Sequence, residues 1–166
     1  MTDATLNIRA ARHDDVEACF ALFSEVQQIH AAERPDLIRP PALDDSFRRL
    51  FADAVDADRK GILLAWHEAR AVGMTIYEFT WLDPTGVYLV DRPIMWIESI
   101  GVTAAYRGKG CGRAMLDLVR RIAAERGVAT LALEAWMFNS AARAWFERQG
   151  FVANSATMMA KVDGQL

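Results

Sequence analysis

Val102-Thr-Ala-Ala-Tyr-Arg107-Gly-Lys-Gly-Cys-Gly112-Arg113 is the stretch on which the reading of the fold turns. Before it lies Ile94 to Val102, IMWIESIGV, a nearly all-apolar run that predicts a central strand covered on both faces. After it, Gly110 to Arg126 carries Met115, Leu118, Val119 and Ile122 at helical spacing, and Gly127 stands in the stop position. A strand, a loop with three glycines and a helix therefore follow one another. Glycines reach positive φ and let a ligand approach the backbone closely. The helix behind them offers unpaired N–H groups and the positive end of its dipole. Such a junction suits a phosphate or pyrophosphate. Arg107, Lys109 and Arg113 add positive charge there, and a guanidinium can grip phosphate with two hydrogen bonds.

Outward from this junction the chain alternates strands and helices. Leu6 to Ala10 reads as a first strand, Asp14 to Ala32 and Asp44 to Ala57 as helices, and Pro35, Pro40 and Pro41 break the chain between them. Ile62 to Glu68 and Val72 to Phe79 are rich in β-formers and read as a hairpin across a short polar turn. Pro84, Gly86 and Pro93 mark the loop before the central strand. Val128 to Ala135 predicts a strand, Asn139 to Gln149 a helix with Asn139 as N-cap, and Phe151 to Lys161 a last strand. This order describes one α/β domain, residues 1–166, with a mixed sheet.

Composition narrows the class of function. The chain has 166 residues, 52% of them hydrophobic, and a net charge of −3. A chain this long buries roughly 70% of its unfolded surface, so neither metal nor disulfide is needed for folding. The acidic balance, with a sequence pI near 5.6, points away from nucleic acid. Cys19 and Cys111 stand alone, which excludes a disulfide scaffold or a cysteine-built zinc site. The N-terminal segment has no apolar signal core, and no run of about 18 apolar residues occurs. The expectation is a cytoplasmic protein with no metal, no nucleic-acid partner and no membrane span.

Two familiar phosphate motifs do not fit. A Walker loop needs Ser or Thr after its lysine, where Gly110 follows Lys109. The dinucleotide pattern beginning at Gly108 needs glycine where Arg113 stands. Arg107-x-x-Gly110-x-Gly112 does fit R-x-x-G-x-G. With Ile97 to Val102 before it, this segment resembles the pyrophosphate loop of the GNAT family of N-acetyltransferases. Asn139-Ser-Ala-Ala142-Arg-Ala-Trp-Phe146-Glu-Arg-Gln-Gly150-Phe151 is similar to that family's second signature, N-x-x-A-x-x-x-Y-x-x-x-G-F, and the likeness covers nearly the whole chain.

The resemblance implies an α+β fold: a mixed, mostly antiparallel sheet of six to seven strands, about four helices, and one parallel strand pair that splays apart. It implies acetyl-CoA as co-substrate, with Gly108, Lys109, Gly110, Cys111 and Gly112 cradling its pyrophosphate beside Arg107 and Arg113. Backbone groups of Ile100, Gly101 and Val102 would pair with the pantetheine arm. Asn139 would offer its amide to that arm, or act as a plain N-cap, or both. Cys111 is either a small hydrophobe under the loop or, at a helix N-terminus, a reactive thiol.

The implied reaction moves an acetyl group directly to a primary amine of a small molecule or peptide. Glu98, a carboxylate in an apolar strand, is the candidate base; its other reading is a structural carboxylate paired with an arginine. His30, Glu33, Trp81 and Trp136 are candidates for the acceptor wall, and a homodimer is compatible with the family. Phe146 stands where many members carry an acidic tyrosine, and it has no proton to give. Tyr77, Tyr88 and Tyr106 are the other hydroxyls considered for that role. The departure leaves a non-catalytic acyl-CoA-binding module as the alternative.

Overall fold

The computed structural model describes residues 6–83, 85–87 and 89–160. The chain divides into two compact units, Met1–Glu134 and Ala135–Leu166. The first unit holds strands β1 (Asn7–Ala10), β2 (Lys60–His67), β3 (Arg70–Trp81), β4 (Pro93–Val102) and β5 (Leu131–Leu133), with helices α1 (Val16–Glu33), α2 (Asp45–Asp56) and α3 (Cys111–Glu125). The second holds α4 (Ser140–Arg148).

The five strands form one sheet in the order β1-β2-β3-β4-β5. Its first three pairings are antiparallel and the last, β4 with β5, is parallel. The expected α+β class and the parallel pair are present, but the described residues contain five strands rather than six or seven. The expected strand over Phe151 to Lys161 is absent from 151–160, and Lys161 lies outside the described residues. Residues 152–160, VANSATMMA, are exposed, and their small and polar residues offer little apolar surface to a ladder. The strand expected over Val128 to Ala135 shrinks to three residues. The Val128 N–H is taken by the Ala123 carbonyl at the end of α3, which keeps the entry to β5 in a turn.

The predicted hairpin is present, with β2 and β3 joined by Glu68 and Ala69. Glu68 takes a φ of +55°, the turn conformation that glycine more often supplies. Side chains of successive residues leave a sheet on opposite faces, so the register sorts the core into two layers. Ile62, Leu64, Met74 and Ile76 face α1 and α2, meeting Cys19, Leu22, Phe47, Phe51 and Ala54. Phe20 and Phe23 clasp Phe47 with centroids 5.0 and 5.3 Å away. Ala65 and Val72 face α3, where they meet Cys111 and Met115. Asp44 caps α2 by accepting the N–H groups of Ser46 and Phe47.

Two glycines set how closely the helices approach. A Cβ on Gly101 would run into the Val26 methyl of α1. On the opposite face, a Cβ on Gly73 would stand 2.9 Å from Met115 Cε and 3.0 Å from Cys111 Sγ. The start of α1 is tied to β1 by Arg9, whose guanidinium donates to both Asp15 oxygens at 2.7 and 2.9 Å and lies over the Trp66 ring. The Arg12 N–H adds a third bond to Asp15. No helix among the described residues is long and apolar enough to cross a membrane.

Gly101→Ala and Gly73→Ala should each lower stability by about 1–3 kcal/mol in urea melts, because packed cores resist added volume. The hydrogen bond from Arg9 holds the Asp15 carboxyl below its ordinary value. Its stabilisation is therefore full above about pH 4 and is lost as pH falls through the lowered folded value. Asp15→Asn should cost about 1–3 kcal/mol at neutral pH and flatten the acid limb of the stability curve.

Candidate active site

The site is built where β4 runs into α3. Leaving β4, the chain makes one 3-10 turn over Ala104–Tyr106 and reaches Gly108 and Gly110 with φ of +75° and +84°. Gly110 is the N-cap of α3, in the left-handed region, so the helix starts at Cys111 and not at Gly110. A Cβ at Gly108 or Gly110 would meet nothing within 4 Å, so the space over the loop is open. Free N–H groups at the start of α3 therefore face an open, glycine-lined cradle of the kind an anion needs.

The basic residues around the cradle are individually tethered. Arg107 Nε donates to the Val102 carbonyl at 3.0 Å. Lys109 Nζ lies over the Tyr106 ring, 5.1 Å from its centroid. Arg113 sits 3.7 Å from Asp117 in an exposed pair. Cys111 is buried against Gly73, and burial raises its thiol. That agrees with a small packing residue and argues against a reactive thiolate. Cys19 is pushed up to about 12 by burial in the other layer.

A second feature lies along β4. The β4–β5 ladder consists of Met95 with Leu131, Trp96 with Ala132 and Ile97 with Leu133. On the β3 side, Tyr77 pairs with Ile97 and Ile76 with Ser99, so Glu98 is left over as a bulge. Bulges bend a strand and re-aim a side chain. Among the described residues, Ser99 to Val102 of β4 pair with β3 on one side and have no ladder partner on the other. Ile100, Gly101 and Val102 thus present a strand edge beside the glycine loop, although the Val102 carbonyl already accepts Arg107.

Glu98 is bonded to Lys60, whose ammonium donates at 2.9 Å and also lies 3.1 Å from Glu78. Arg59 stands 3.3 Å from Glu78. The partner of Glu98 is therefore a lysine, in place of the arginine expected. The bond to Glu98 raises Lys60 above its ordinary value, so the ammonium stays charged. An open groove lined by Arg49, Asp53, Arg59 and Lys60 adjoins this row of charges. Lys60 and Glu78 escape sequence reasoning because no local motif marks them; only the strand register brings Lys60 to a residue 38 positions away.

The other candidates are placed as follows. Val26 of α1 lies over Gly101 at the end of β4, and Ala18, Ala21, Leu22 and Glu25 line an open pocket together with Thr103. His30 lies one turn beyond Val26 in the same helix. Its imidazole is lowered by burial and stays neutral at pH 7. Glu33 ends the same helix, and Trp81 ends β3, 44% exposed. Tyr77 is half-buried beneath Gly61, burial raises its hydroxyl, and Tyr88 lies outside the described residues.

In the second unit, Asn139 Oδ1 accepts the Ala142 N–H at 3.1 Å, the N-cap role, which leaves its amide nitrogen for other partners. Trp136 stacks on Phe138, and Phe146 packs edge-on against Trp145 and Phe151. The ring of Phe146 is thus a packing element of its own unit. Among the described residues, no group of three His, Cys, Asp or Glu could hold a metal ion.

An open glycine cradle at a helix start thus follows a bulged strand whose ladder with its parallel neighbour is three pairs long. A sequence model of the acetyltransferase (GNAT) family matches residues 23–151, and the chain belongs to that family. No match to a curated protein is found. A crystal structure of a mutant BH1408 protein from Bacillus halodurans superposes with a TM-score of 0.85 at 23% identity, covering 94% of this chain and 99% of that one. An aminoglycoside 6'-N-acetyltransferase from Acinetobacter baumannii gives 0.75 at 18%, covering 95% and 97%. The aminoglycoside N-acetyltransferase AAC(6')-Iy, in complex with CoA, gives 0.75 at 16%, covering 95% and 94%. At these identities the likeness is one of fold.

Buried, protonated thiols react slowly. Cys19 and Cys111 should resist a thiol-labelling reagent at pH 8 in the folded protein and react fully in denaturant. Rapid labelling of Cys111 in the native state would contradict its packing role.

Proposed function

We propose that the chain is a single-domain, acetyl-CoA-dependent N-acetyltransferase that transfers the acetyl group directly to a primary amine of a small molecule or peptide. The observation that carries this reading is the left-handed Gly110 cap on α3, set beside the unpaired edge of β4. Residues 107–113 would hold the pyrophosphate through backbone N–H groups and the start of the helix. The edge from Ile100 to Val102 would pair with the amides of the pantetheine arm.

Glu98, aimed by the bulge, would take the amine proton, directly or through one water, as the nitrogen attacks the thioester carbonyl. The N–C bond forms, the C–S bond breaks, and the departing thiolate is protonated by solvent, since Phe146 has no hydroxyl. Most of the rate would then come from holding the two reactants in position. Lys60 and Arg59 already neutralise Glu78 and Glu98, so Glu98 would exchange Lys60 for the acceptor amine. His30, Glu33 and Trp81 would line its approach. The CoA complex and aminoglycoside substrates of fold neighbours support a small-molecule amine, without identifying it.

The test is release of free CoA thiol from acetyl-CoA across polyamines, aminoglycosides, amino acids and peptides. CoA binding by calorimetry with turnover on at least one amine is the expected result; binding without any turnover would leave a non-catalytic CoA module. Gly110→Glu should abolish CoA binding, because a left-handed cap and an open cradle tolerate neither a side chain nor a negative charge. Glu98→Gln should lower kcat/KM about 10²–10⁴-fold while CoA affinity stays within about twofold. Unchanged kinetics in Glu98→Gln would remove it as the base.

A further inference from the structure

The glycine loop has little of its own to keep it in shape. Gly108 and Gly110 both sit at positive φ with open space around them, and Ala104, Ala105 and Arg107 to Gly110 are exposed. Ordering such a segment on ligand binding costs conformational entropy for each residue fixed. Most of the hydrogen bonds that hold it are local. The Tyr106 N–H donates to the Thr103 carbonyl, the Arg107 N–H to Ala104, and Arg107 Nε to Val102.

One bond is different. The Tyr106 hydroxyl lies 2.9 Å from Nδ1 of His67, a residue 39 positions away. Among the described residues it is the one hydrogen bond that ties residues 104–109 to an element beyond the adjoining end of β4. The two rings also touch, with centroids 5.1 Å apart. His67 is a firm support, being the last residue of β2 and paired with Arg70 across the two-residue turn. The Tyr106 ring packs against the α3-side core and carries Lys109 over its outer face. A single aromatic ring thus joins the hairpin, the core and one of the loop's cations.

We infer that the His67–Tyr106 pair is a positioning latch for the nucleotide end of acetyl-CoA, holding the glycine loop and Lys109 in their binding arrangement before the ligand arrives. It rests on the reading of residues 107–113 as the acetyl-CoA loop and is independent of the identity of the base or acceptor. Neither residue touches the reacting atoms. Loss of the latch therefore weakens acetyl-CoA binding and leaves chemistry on the saturated enzyme alone. The hydroxyl of Tyr106, engaged by His67, is on this account not the acid that protonates the thiolate.

Tyr106→Phe is the sharpest probe, because it keeps the ring under Lys109 and removes only the bond. CoA affinity by calorimetry, and KM for acetyl-CoA, should weaken about three- to tenfold, the range that one hydrogen bond accounts for. kcat at saturating acetyl-CoA and KM for the amine should not change. His67→Ala should reproduce the effect, and the double variant should be no worse than either single one. His67→Asn, whose side-chain amide can meet the hydroxyl near the Nδ1 position, should restore most of the affinity.

Unchanged CoA affinity in both single variants, with the wild type binding CoA, would overturn the latch and leave the proposed function standing. A fall in kcat for Tyr106→Phe at saturating acetyl-CoA would overturn it in favour of a direct catalytic role. Equal weakening of acetyl-CoA and amine KM without rescue by Asn would reduce the pair to a structural contact. A wild-type chain that binds no CoA would overturn both readings together.

Discussion

Strand β4 has a nine-pair ladder on its β3 side and a three-pair ladder on its β5 side, and the site depends on that inequality. The cause is local. Glu98 has no partner between the Tyr77–Ile97 and Ile76–Ser99 pairs, and the extra residue bends the strand where the parallel ladder stops. A strand edge in the middle of a protein is costly unless something satisfies its backbone groups. In this chain the edge opens beside the exposed glycine loop, and both features suit one long ligand with an anionic end and an amide-bearing arm.

Close packing holds that edge in place. Val26 of α1 lies against the bare Cα of Gly101, and Met115 and Cys111 of α3 lie against that of Gly73. Larger residues at either position would push a helix away from the sheet, and β4 would lose its backing. The same contact places Val26 over the end of β4.

Charge in the first unit is organised by pairs more than by totals. The cations that the sequence clusters at 107, 109 and 113 are tied to a carbonyl, a ring and a carboxylate. On the proposed reading, an anion there would therefore be held chiefly by backbone N–H groups, with the side chains as tethered reserves. At the bulge, Lys60 bridges two carboxylates and keeps a mixed-sign row in a partly buried place. A net charge of −3 describes neither location.

Much of this was legible in the order of residues. Helical spacing in α1, α2 and α3, the apolar run of β4, the short polar hairpin turn and the glycine loop all rest on interactions within a few residues. Phe151 to Lys161 misled because apparent strand character counts only when a ladder partner exists, and residues 151–160 form no strand. Glu98 was recognisable as an anomaly, a carboxylate in an apolar strand, but not as a bulge, since a bulge is a property of two strands. His67 and Lys60 carried no sequence signal at all. By itself, the sequence determined the elements, the cradle and the family, because φ-permissive glycines and periodic apolar residues act locally. The tertiary structure alone decided that Lys60 meets Glu98 and that His67 meets Tyr106, because each depends on the register of strands far apart in the chain.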